Sequence, residues 1–158
     1  MSRIDSRMIA HHADRPGIST RAPSREATVV VVEDEPLWSL AVVELCAFLD
    51  VRLTCISSEE DLAPVLRDRR PMAVLANVDG AGQDGCHVIK LVAAHDPELP
   101  VMMLTGGDAA LTGALEAVEE VWGLAGVEKR DTPPSPGELV EFLFRAARRG
   151  RCLGLIPV

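Results

Sequence analysis

Five short apolar runs, each ending in polar residues and each followed by a helical pattern, constrain this chain more than any other feature. Strands are expected near residues 28–33, 51–56, 72–77, 100–105 and 124–129. Helices are expected near 36–49, 58–69, 85–95, 108–122 and 136–149, where apolar residues recur three and four apart. Regular β-then-α alternation implies a parallel sheet with right-handed crossovers and helices on both faces. Composition agrees: 47% of residues are hydrophobic but only 3% aromatic, with no Tyr. Val, Leu, Ala, Ile and Met therefore fill the core, as they do in doubly covered parallel sheets.

At 158 residues the chain fits one domain with tails: 1–26, a domain over 27–149, and 150–158. The first stretch is rich in Arg, Ser, Pro, Gly and Ala without apolar periodicity, and reads as a disordered tail. Its adjacent His11 and His12 are expected to bind nothing. The last stretch carries Leu153, Leu155, Ile156 and Val158, and reads either as an added edge strand or partner segment or as unstructured. No apolar run reaches the roughly 20 residues of a membrane span. The start, Met1-Ser-Arg-Ile-Asp, lacks the apolar stretch of a secretory signal, and the expected location is cytoplasmic. Cys46, Cys55, Cys86 and Cys152 lack metal spacing and read as reduced, mostly buried residues.

Net charge is -8, unevenly spread. Residues 1–26 carry about +2 and the Arg145–Arg151 stretch four arginines, so the body between is near -14. An acidic body repels nucleic acid, and direct nucleic-acid binding is not expected.

Local signals place the helix starts. Ser57 and Glu60 have capping-box spacing, Ser135-Pro136 puts proline at a first helical position, and Asp108 can cap the fourth helix. Pro64 falls inside the expected second helix, which predicts a short, bent or mobile helix there.

In open α/β sheets sites form at the carboxyl ends of the strands. There this chain places Glu33, Asp34 and Glu35, then Asn77 followed by Val78-Asp79 and a glycine-rich loop, then Thr105, then Lys129. The constellation resembles the receiver domain of response regulators over about residues 28–149. The resemblance implies a flavodoxin-like, five-stranded sheet of order 2-1-3-4-5 and a role in two-component (phosphorelay) signalling. It also implies a Mg²⁺ site from Asp34, Glu33 and the Asp79 carbonyl, with Asn77 where the phosphoacceptor aspartate belongs. Thr105 and Lys129 would read the phosphoryl group; Arg130 is the alternative for the cation, since the usual Lys-Pro step is absent. Val127 stands near the position of the usual switch aromatic.

An amide is no nucleophile, and losing one anionic ligand weakens a dication site, so Mg²⁺ is expected to bind weakly. Other readings remain beside these. The three acids can simply cap a helix, Thr105 can bond a turn amide, and Asp79 or Asp84 can stand in as acceptor. The expected function is a non-enzymatic, stand-alone receiver-like adaptor that contacts a histidine kinase or another regulator, or forms a homodimer. The alternative is a working phosphoacceptor whose aspartate was replaced by the isosteric Asn77. Leu111, Leu115, Val118 and Trp122 form a stripe that is either an interface or a core-facing row.

Overall fold

The computed structural model describes residues 26–33, 39–78, 84–124 and 126–150. Asp34, Asp79, Cys152, His11, His12 and the two tails, Glu26 and Gly150 apart, lie outside the described residues.

The strands are β1 (Thr28–Val32), β2 (Arg52–Ile56), β3 (Ala73–Asn77), β4 (Val101–Leu104) and β5 (Val127–Arg130). The helices are α1 (Ser39–Leu49), α2 (Leu62–Arg69), α3 (Gly85–His95), α4 (Ala109–Trp122) and α5 (Pro136–Gly150). All strand pairings are parallel, in the order β2-β1-β3-β4-β5. That is the expected doubly wound sheet.

The three central strands are buried along almost their whole length, and alternate residues go to opposite faces. Val29, Val31, Ala73, Leu75, Met102 and Leu104 pack with Val42 and Cys46 of α1 and with Phe142, Leu143 and Ala146 of α5. Val30, Val32, Val74, Ala76, Val101 and Met103 pack with Leu62 and Leu66 of α2, Val88 and Ile89 of α3, and Leu115 of α4. Gly85 opens α3 where that helix crowds the sheet. A Cβ there would lie 3.0 Å from Leu115 Cδ2 and 3.3 Å from Val78, so a larger residue would push α3 from α4.

Several local expectations shift by a few residues. Asp108 caps α4 through the amides of Ala110 and Leu111, and Asp84 caps α3 through that of His87. Before α2 the cap is Ser58, not Ser57: its hydroxyl accepts from Glu60 N–H at 3.2 Å, opening a 3₁₀ turn over Glu59–Asp61. That turn moves the α-helical start to Leu62, so Pro64 stands in the first turn of an eight-residue helix. A first-turn residue has no intrahelical N–H partner to lose, which is why the helix tolerates proline there. Cysteine burial is mixed. Cys46 is buried, and burial first, then neighbouring Cys55, pushes its thiol up to about 11. Cys55 is exposed on edge strand β2, contrary to the expectation of burial.

Leu75→Ala, at the centre of the sheet, should lose about 2–5 kcal/mol of unfolding free energy in urea titrations. Pro64→Ala should change it by less than about 1 kcal/mol, because only unfolded-state entropy is at stake. A Pro64→Ala gain of several kcal/mol would show that the proline strains α2.

Candidate functional site

The carboxyl ends of β1, β3, β4 and β5 meet at one edge of the sheet, and register fixes what stands beside what. Val32 pairs with Ala76, so the next residues, Glu33 and Asn77, follow on adjacent strands. Asn77 pairs with Leu104, and Leu104 with Arg130. Residues paired across a parallel sheet share a face. Leu104 packs in the α1–α5 core, so Asn77 and Arg130 belong to that face. Lys129, one residue earlier, faces the α4 side, which Val127 also packs against.

Glu33 is 6% exposed, and its backbone N–H donates to Ile56 O at 3.0 Å. Its charge, second to burial, helps raise the Cys55 thiol. Asn77 is half-buried at the strand end. Among the described residues no group of three or more His, Cys, Asp or Glu is placed to hold a metal. Register alone brings Glu33 and Asn77 to one edge of the sheet.

Thr105 is fully buried, and its polar groups turn toward β5. Its N–H donates to Arg130 O at 2.8 Å, and its hydroxyl donates to the same carbonyl at 3.3 Å. Lys129 Nζ lies 2.6 Å from Glu119 Oε2 of α4, with both side chains below 20% exposure. Arg130 Nη2 is hydrogen-bonded to Glu138 Oε2 at the start of α5. Glu128, on the same face as Arg130, meets Arg145 of α5 at 2.6 Å. Three consecutive residues of an edge strand are thus each ion-paired to a helix, which also blunts that edge against pairing with other chains. In place of the switch aromatic, Val127 packs half-buried against the α2–α4 core.

Glu138 joins a reciprocal cap. Ser135 N–H donates to Glu138 Oε1 at 2.9 Å, and Glu138 N–H donates to Ser135 Oγ at 3.2 Å. The Ser135 amide first, then Arg130 and the Ser135 hydroxyl, hold the Glu138 carboxyl at about 2, below its ordinary 4.5. Sequence reading passed over both anions. The Ser135-x-x-Glu138 spacing was available as a signal, whereas nothing local links Glu119 to a lysine ten residues on.

The stripe on α4 resolves mostly into core. Leu115 is fully buried, and Leu111 and Val118 pack beside it, because the helix must cover the sheet. Leu115 therefore offers no surface to a partner, and Leu111 is only partly covered. Trp122 is 46% exposed and Val121 79%, so the last turn alone presents an apolar surface.

No protein-family model matches the chain. It is 29% identical over 130 residues to a probable transcriptional regulatory protein, TcrX, of Mycobacterium tuberculosis, covering 82% of this chain and 53% of that one. The chain thus spans about half the length of that curated relative. A CheY-like response regulator receiver domain from Methanospirillum hungatei superposes with a TM-score of 0.64 at 11% identity, over 79% of this chain and 96% of that one. The receiver domain of the sensor histidine kinase PA1611 from Pseudomonas aeruginosa, with a magnesium ion coordinated in its active site cleft, gives 0.59 at 20% identity. That match covers 76% of this chain and 96% of that one.

A depressed carboxylate stabilises the fold above its unfolded value and loses that contribution as pH falls toward the folded value. The stability difference between the unaltered chain and Glu138→Gln should therefore be constant above about pH 5 and shrink between 4.5 and about 2. Urea titrations across that range read it; a pH-independent difference would contradict the ion-paired cap. In sheet order and in strand pairing, the chain carries the fold of response regulator receiver domains.

Proposed function

We propose that this chain is a receiver-type module of two-component signalling that works through protein contacts, without phosphoryl transfer to its own strand end and without catalysis of its own. The observation that carries this reading is the content of the carboxyl edge. Asn77 ends β3 where transfer would need a carboxylate oxygen, and an amide is not a nucleophile. The groups that would respond are already engaged: Thr105 on the Arg130 carbonyl, Lys129 on Glu119 and Arg130 on Glu138. A site whose readers have internal partners has little left to gain from an added anion, and a ligand without preference between two states shifts neither.

Glu33 and Asn77 fit a hard dication such as Mg²⁺, as the magnesium-bound PA1611 domain suggests by analogy, and the ion would neutralise phosphoryl oxygens there. With an amide in place of one carboxylate, its binding is weak. A histidine kinase or another regulator is the expected partner class, and a second copy of the chain is a further one. No helix of the described residues is long and apolar enough to cross a membrane.

Incubation with acetyl phosphate and Mg²⁺ followed by intact-mass measurement should show no added phosphoryl group. A stable adduct mapped to Asp79 or Asp84 would overturn the reading. Labelling restored by Asn77→Asp would favour a working receiver in which the asparagine is a replacement.

The exposed end of α4 is the contact surface to test first. Trp122→Ala should keep the melting temperature within a few degrees, because the ring is half-exposed, and should weaken self-association in sedimentation. A loss of about 3–5 kcal/mol in stability would instead mark Trp122 as core.

A further inference from the structure

Arg130 is the cation that register places on the acceptor face, two strands from Asn77. Two strand spacings come to about 10 Å, a gap that an extended arginine can largely bridge. Instead its guanidinium is bonded to Glu138. That carboxylate is held from its other side by the Ser135 amide, so it cannot follow a moving arginine without breaking the cap of α5. We infer that Glu138 is an internal anionic latch: it supplies from the first turn of α5 the negative charge that Arg130 would otherwise find at the end of β3. The inference rests on the reading of this edge as receiver-like, and adds to it a second, separate barrier to switching. Asn77 removes the acceptor, and Glu138 removes the reader.

The chemistry favours the latch over a passing surface contact. Arg130 and Glu138 make a charge-assisted hydrogen bond, and the carboxylate is preorganised by a second donor, so little side-chain entropy is lost on pairing. Asn77 offers a neutral amide at the competing position. The equilibrium for Arg130 therefore lies with Glu138, which keeps α5 clamped to β5. A new anion at position 77 would have to break this pair before Arg130 could reach it.

The test compares Asn77→Asp with Asn77→Asp/Glu138→Gln, using beryllofluoride with Mg²⁺ as the phosphoryl probe. Glutamine keeps an oxygen to accept from the Ser135 amide while losing the charge. Removing the competing charge-assisted bond should tighten beryllofluoride binding about tenfold in the double variant. Amide shifts should then spread to Arg130 and to residues 135–139, while in Asn77→Asp they stay at the ends of β1, β3 and β4. Adding Arg130→Gln to the double variant should return the affinity to that of Asn77→Asp, which separates a freed arginine from a merely loosened helix. Equal affinities in the first two variants, including no binding in either, overturn the latch. So does a gain that survives Arg130→Gln. Phosphorylation of the unaltered chain would overturn the proposed function without bearing on this comparison.

Discussion

Burial of β1, β3 and β4 on both faces is the constraint from which the rest of this structure follows. Their side chains are almost entirely out of water, at roughly 25 cal/mol for each Å² of apolar surface removed. A strand buried on both faces has no room for a polar residue until it leaves the sheet. The polar residues of this chain therefore collect where the strands end, and parallel direction brings those ends to one edge. Glu33, Asn77 and Thr105 come to one edge because Val, Ala, Leu and Met fill the strands before them, Thr28 at the start of β1 apart.

Edge strand β5 obeys a different rule. It is only half-buried, and Glu128, Lys129 and Arg130 would be costly against two helices without partners. Each finds one, on alternating faces: Arg145 on α5, Glu119 on α4, Glu138 on α5. The same pairs that make a charged strand tolerable commit the cations that a receiver site would use. Under the proposed function, stability of the edge and silence of the site would have one physical cause.

The sheet, its order and the five helices were legible because apolar runs and three-four spacing are dictated by burial, which is a local property of sequence. The ends of elements were less so. Ser58 rather than Ser57 caps the turn before α2, since a 3₁₀ turn intervenes and no periodicity marks it. The position of Pro64 followed from that shift. Asn77, Thr105 and the absence of an aromatic at Val127 could be read in advance, as strand-end residues. The choice between Lys129 and Arg130 could not: it depends on strand parity, and one residue of uncertainty in where β5 begins reverses the answer. Glu119 was hidden for another reason, because its partner is brought to it only by the packing of α4 on the sheet. The α4 stripe shows the converse limit, since periodicity identifies a buried face but not where along the helix burial stops, and Trp122 lies past that point.

On the proposed function, the carboxyl edge of the sheet is internally satisfied and does not respond to a phosphoryl group. An amide ¹H–¹⁵N spectrum of the unaltered chain, titrated with Mg²⁺ and then beryllofluoride, addresses it most directly. Small shifts confined to the neighbourhood of Glu33 and Asn77 are expected, with Thr105, β5 and α4 unmoved. Saturable shifts running through Thr105 and Val127 into α4 would contradict it, because they would show a site that still binds and still transmits.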